Sequence, residues 1–239
     1  MATGTVDTSV AFIGFEPEAI QFLADLTDNN DRAWFNPRKA DYERLLKRPL
    51  EALCSALADR FAARGIPLLA DPARSPFRIY RDTRFSKDKS PYKRHLGASF
   101  PWMADAGGTE AERTGGPGGY FHLEPGEIYV GGGMWHPEKE RLDAWRRMVA
   151  SDPVVVRAAI EDPAFVATFG EVSADGDHRL KRVPSGYPAD HPEAELLKIK
   201  DVVFGRRLPD RVVTSPDLPD VIADSLGAAM PVLRLLANL

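Results

Sequence analysis

The run from Arg74 to His95, RSPFRIYRDTRFSKDKSPYKRH, gathers the residue types best able to hold an anion. It carries eight Lys or Arg (Arg74, Arg78, Arg81, Arg84, Lys87, Lys89, Lys93 and Arg94) against two acids, Asp82 and Asp88, for a net +6. The 239-residue chain as a whole carries −4, so everything outside the run sums to −10. A basic cluster on an otherwise acidic chain reads as a docking site for a specific anion more readily than as a generally cationic surface. Arginine presents planar donors suited to phosphate or carboxylate, and lysine adds a point charge. Arg78, Arg81, Arg84 and Lys93 form the expected clamp. The plain alternative is a solvated loop whose arginines pair with acids of the same chain.

A second set of chemical groups lies in GYFHLEPGEIYVGGGMW, residues 119–135. Pro125-Gly126 suits the centre of a type II turn. A two-residue loop there sets Glu124 opposite Glu127, Leu123 opposite Ile128, His122 opposite Tyr129, Phe121 opposite Val130 and Tyr120 opposite Gly131. The apolar pairs then share a core face, and Tyr120, His122, Glu124 and Tyr129 share the other. Like charges at Glu124 and Glu127 repel, which is tolerable only at an exposed hairpin end.

Lys93 and His95 join that polar face if their strand neighbours 118–124. Tyr120, His122 and Trp135 would then shape a pocket. Gly131–Gly133 would let a ligand approach the backbone, and a helix starting near His136 would add N–H donors. If the protein is an enzyme, His122 or His95 is the expected general acid or base, because an unperturbed histidine titrates near neutrality. No nucleophile presents itself, so hydrolysis or transfer needs water or a metal. His122-x-Glu124, with His95 nearby, offers ligands suited to zinc or iron. That spacing is a weak signal; no metal is assigned, and the cofactor is left unknown. The competing reading is a sheet face with ordinary Tyr–His pairs.

These groups need a scaffold, and the flanking sequence reads as one. Residues 1–14 read as a loose tail. Phe15 to Asp28 has helical spacing, with Pro17 in its first turn and Ile20, Leu23 and Leu26 along one face. Asn36-Pro37 reads as a helix start, Pro49 as a kink or break, and Gly65 as the stop of a second stretch. Trp34, Phe35, Tyr42, Leu45 and Leu46 recur at helical spacing as core. Phe77 to Tyr80 reads as a short strand and Tyr92 to Trp102 as an alternating one. Ala104 to Gly119 is a Gly-rich loop. Helices are expected from His136-Pro137 to Ser151, from Asp152-Pro153 to Glu161, over 192–200 and over 218–236. The fold class is therefore α+β, an antiparallel sheet flanked by N-terminal and C-terminal helices, with 1–239 as a single domain.

Composition bounds the function classes. The chain is 44% hydrophobic and 28% charged, ordinary for a globular protein. Cys54 is the only cysteine, so neither an internal disulfide nor a multi-thiolate zinc site is available. It lies among Leu53, Ala56 and Leu57 and reads as a buried thiol. No apolar run reaches the ~20 residues of a membrane helix and the N-terminus lacks a signal-peptide pattern, so no membrane partner and a cytoplasmic location are expected. Walker, G-x-S-x-G and zinc-deaminase motifs are absent.

Four blocks of the chain resemble a known family: NNDRAWFNPRKADYE (29–43), FRIYRDTRFSKDKSPYKRHLGASF (77–100), GYFHLEPGEIYVGGGMWHP (119–137) and LKRVPSGYPADHPEAELLKIK (180–200). They look like the signature blocks of the domain of unknown function 2461 family. That resemblance implies one folding unit and a mainly bacterial, cytosolic protein, and it supplies no established activity. It also draws attention to Lys181, Arg182, Lys198 and Lys200, with Tyr187 and His191 between them. This second basic cluster either completes the first pocket or covers a different surface.

The leading expectation is a basic pocket for a phosphorylated or carboxylated small molecule, with an enzymatic role left uncertain. The alternatives are a nucleic-acid-binding module using the 81–94 loop and a protein-interaction domain docking an acidic partner.

Overall fold

The computed structural model describes residues 11–84, 86–107, 115–173 and 176–239. Four antiparallel strands, β1 (Leu96–Pro101), β2 (Gly118–Glu124), β3 (Glu127–Met134) and β4 (Val202–Arg207), form one sheet in the order β1-β2-β3-β4. Helices precede and follow the sheet in sequence, so the α+β class and the flanking helices are as expected.

The β2–β3 hairpin has the predicted register: Glu124 faces Glu127, His122 faces Tyr129 and Tyr120 faces Gly131. Gly126 carries the positive φ of 78° that a type II turn demands at its second central residue. β1 pairs with β2, setting Gly97 opposite His122 and Leu96 opposite Leu123. Alternation then sends Leu96, Ala98, Phe100, Phe121, Leu123, Ile128 and Val130 to one face, where each is buried. Phe61 meets Phe100 edge-on at 5.6 Å, and Phe15 stacks on Phe121 at 6.4 Å. Each such side chain withdrawn from water contributes roughly 1.5–3 kcal/mol.

The first helix runs Pro17–Asp28 and buries Ala19, Phe22, Leu23 and Leu26, an i, i+3, i+4, i+7 stripe that includes the expected Leu23 and Leu26, with Ile20 partly buried at its edge. Asp31, rather than Asn36, caps the next helical run; its carboxylate accepts the Trp34 N–H at 2.9 Å. Phe35, Tyr42, Leu45 and Leu46 are buried as expected. Pro49 does not break the chain. The segment Glu43–Lys47 widens into a π turn, and Arg48–Arg64 continues as α-helix. Proline lacks an N–H and crowds the preceding turn, so widening that turn lets the helix pass through it. Gly65 then stops the helix at φ 62°.

Other boundaries differ from expectation. Residues 1–10 of the predicted tail and 108–114 of the Gly-rich loop lie outside the described residues, but Phe12 already packs against the core. Residues 76–81 form only isolated pairings with the 91–98 stretch, at Pro76↔Ala98 and Tyr80↔Tyr92. The 192–200 stretch is helical only over Ala194–Leu197. The C-terminal stretch divides into Leu218–Ala228 and Met230–Ala237, with Pro231 in the first turn of the second. β4 and the helix Pro163–Phe169 were not anticipated. No helix among the described residues is long and apolar enough to cross a membrane.

Candidate functional site

The sheet face away from the core carries the predicted chemical groups in three adjacent rows. Ser99, Gly97 and the position of His95 lie beside Tyr120, His122 and Glu124, which lie beside Gly131, Tyr129 and Glu127. His122 is 7% exposed and lies at the centre of these groups. Its ring stacks on Tyr129 at 4.7 Å and 15°, and its centroid is 4.6 Å from that of His95. Its Nδ1 is 3.0 Å from the Tyr120 hydroxyl and its Nε2 is 3.2 Å from Glu124 Oε2. The Tyr120 and Tyr129 rings lie 5.7 Å apart.

Gly97 makes this arrangement possible. A Cβ there would come within 2.8 Å of the Tyr120 hydroxyl, so only glycine lets Tyr120 lean across β1. Gly131 serves a different purpose from the ligand gap expected of it. A side chain at Gly131 would meet the Phe204 carbonyl oxygen at 2.3 Å, so this glycine admits the β4 backbone.

Burial changes the acid–base character of the pair. Desolvation, then the neighbouring His122 and Lys93, push His95 down to about 4 against the pull of Glu124. Desolvation likewise lowers His122, opposed by Glu127. Burial therefore favours the neutral form of both imidazoles. They remain acceptors and potential metal ligands. Burial raises the phenols of Tyr120 and Tyr129, keeping both protonated. His95, His122 and Glu124 each offer a ligand atom, all within 4.8 Å of one another.

The cationic residues separate from this face. Arg78, Arg81 and Arg84, with Tyr80 and Asp82, line a cleft of about 300 Å³. Lys93 is not part of its lining; its Nζ lies 4.8 Å from the centre of the Phe77 ring. Phe77 in turn packs on Tyr120 at 5.8 Å, so the cleft and the sheet face meet at Phe77-Arg78. Two of the arginines are committed within their own loop. Arg81 reaches Asp88 at 2.6 Å and Arg84 grips both Asp82 oxygens, at 2.7 Å for its closest nitrogen. Hydrogen bonds from Ser90, then from Arg81, hold Asp88 well below the usual carboxylate range. Arg84 holds Asp82 at about 2. Arg78 is exposed and enters no ion pair among the described residues.

Two further predicted elements lie elsewhere. Trp135 does not join Tyr120 and His122; it follows the far end of β3, where its ring neighbours are His136 and His178. His136 also does not open a helix, which begins at Lys139. Its backbone N–H donates to Asp201 Oδ1 at 2.7 Å and so serves no ligand. Asp201, 4% exposed, was not singled out from the sequence. Its partners His136 and His178 are 65 and 23 residues away, so no local pattern marks it. Lys181, Arg182, Lys198 and Lys200 of the fourth block do not line the arginine cleft. Pro184–Tyr187 line a separate cleft of about 530 Å³ with Lys139, Asp143, Arg146 and Arg147.

The family model described as "Conserved hypothetical protein (DUF2461)" matches residues 18–234. The chain belongs to the DUF2461 family. The match takes in all four strands, the histidine face and both clefts of this DUF2461 protein. No curated protein matches the chain. No solved structure matches it.

Proposed function

We propose that this DUF2461 protein binds a phosphorylated or carboxylated small molecule in the cleft lined by Arg78, Arg81 and Arg84. The observation that carries the reading is the convergence of three arginines on one cleft of about 300 Å³, with Arg78 outside any ion pair among the described residues. A planar guanidinium matches phosphate or carboxylate with two parallel hydrogen bonds. Arg81, fixed by Asp88 and the Ser90 carbonyl, supplies a positioned wall. Arg78 is the residue that would make the decisive contact, and Tyr80 offers an aromatic flank beside it.

The nucleic-acid alternative spreads its contacts over many cations. Here Arg81, Arg84 and Arg94 pair with loop acids, and Lys89 donates to the Thr83 carbonyl. That favours a single-arginine clamp over a uniform phosphate track.

The test is a thermal-shift and calorimetric screen against inorganic phosphate, sugar phosphates, nucleotides, dicarboxylates and short RNA, repeated with Arg78→Ala. Ligand at a hundredfold excess over its dissociation constant stabilises by about 2.7 kcal/mol, which is visible in a melt. Binding of one small-anion class, lost in Arg78→Ala, supports the reading. Binding of RNA alone, with steep salt dependence, or no binding at all, overturns it.

A further inference from the structure

The geometry points to a divalent transition-metal site formed by His95, His122 and Glu124 on the outer face of the sheet. This inference is independent of the anion cleft, since none of the three residues lines it. Two imidazoles and one carboxylate are a donor set that suits zinc, and three protein ligands leave a position open for water or an anionic group. Such an ion would supply the activated water that a chain without an evident nucleophile lacks.

Three observations carry it. The first is spacing. A tetrahedral ion with ligands at ~2.0–2.1 Å holds neighbouring donor atoms roughly 3.3 Å apart. His122 Nε2 and Glu124 Oε2 are 3.2 Å apart, and all three ligand atoms fall within 4.8 Å of one another. The second is placement. His122 and Glu124 are two residues apart on one strand, so they share a face. His95 precedes β1 in line with Glu124 across the β1–β2 register. His95 and Glu124 are half-buried and His122 is buried, so the group lies at the edge of solvent. Behind His122, Nδ1 lies 3.0 Å from the Tyr120 hydroxyl, and the Tyr120 ring packs on Tyr129 at 5.7 Å. A metal on Nε2 requires the proton on Nδ1, and the Tyr120 hydroxyl is placed to accept it, as outer-shell partners of metal-bound histidines do.

The third observation is charge. Glu124 and Glu127 stand directly opposite each other at the hairpin end. Like charges in that position are destabilising. A cation on Glu124 offsets the repulsion.

The experiment uses the full chain, freed of metal by chelation and held in a buffer without phosphate or carboxylate. Zn²⁺ is titrated by calorimetry and Co²⁺ by visible absorption, with Glu124→Gln and His95→Asn alongside. Glu124→Gln removes the repulsion with Glu127, so its metal-free form should melt no lower than the parent. One ion per chain is expected, with cobalt bands of a low-coordinate nitrogen–oxygen site. Each variant should weaken binding by at least about tenfold, the loss that even an outer-shell partner causes. Absence of binding at millimolar Zn²⁺, or unchanged affinity in both variants, would overturn the assignment. Either result leaves the Arg78 cleft to its own test.

Discussion

His178 Nδ1 lies 3.1 Å from Oδ2 of Asp201, a carboxylate almost wholly removed from solvent. The other oxygen accepts the His136 backbone N–H at 2.7 Å and lies 3.3 Å from His136 Nδ1. Asp201 therefore ties the end of β3 to the start of β4 and to the short turn Gly176–His178. It also holds His136 at a φ of 49°, a conformation uncommon for a residue with a side chain. Hydrogen bonds to a charged group are worth about 1.5–3 kcal/mol. Asp201→Ala should lower the free energy of unfolding by about 2–3 kcal/mol in urea titrations. A loss below roughly 0.5 kcal/mol, the usual range for a surface change, would mean the corner holds without it.

Gly97 and Tyr120 give a prediction that isolates one contact. In Gly97→Ala the new methyl would sit 2.8 Å from the Tyr120 hydroxyl and 3.2 Å from its ring edge. Overpacking of this kind costs about 1–3 kcal/mol. Tyr120→Phe removes the closer atom, so the double variant should be less destabilised than the sum of the two single changes. A thermal-melt double-mutant cycle reads that coupling directly. Strict additivity would show that the clash lies with the backbone, where the Phe121 carbonyl is 3.3 Å away.

The sequence was most legible where structure is local. Pro125-Gly126 and the alternation around it specified the hairpin register, because a one-residue slip would turn Phe121 and Leu123 out to solvent. The same alternation places Tyr120, His122 and Tyr129 on one face. Long-range relations were not legible. Trp135 groups with Tyr120 and His122 in the sequence because all three lie in or next to one hairpin, but β3 is long enough to take Trp135 to the other end of the sheet. Arg81 and Arg84 stood out as cations while their nearest acids, Asp88 and Asp82, lay in plain sight in the same loop. β4 has no clear strand signal because Gly205 and the Arg206-Arg207 end interrupt its apolar alternation.

Cys54 tests the core directly. It is fully buried, and desolvation, followed by Asp71 and Glu51, raises its thiol far above the ordinary range. The thiolate is the reactive form, so the folded protein should resist aromatic disulfide reagents at neutral pH. Modification should appear in denaturant, with a rate that follows the fraction unfolded. Fast labelling of the native protein would show that the helix Arg48–Arg64 opens locally.

Asp82 and Arg84 make the ion pairing of the 81–94 loop dependent on pH. The Arg84 hydrogen bonds hold Asp82 at about 2, below the ~3.9 of an unperturbed aspartate. A depressed folded-state value means the pairing contributes above ~3.9 and is lost as pH falls through about 2. Carboxylate carbon shifts followed by NMR should therefore place the Asp82 midpoint near 2, and Arg84→Ala should return it toward ~3.9. The pair is solvent-exposed, so overall stability should change little across that window. Ligand binding is where the pair should be felt, because Asp82 and an incoming anion compete for the same guanidinium. Asp82→Asn should tighten binding of the small anion identified by the Arg78 screen several-fold, by removing the competing charge while preserving the shape of the side chain. Weaker binding in Asp82→Asn would mean that Asp82 orients Arg84 for the ligand and does not compete with it.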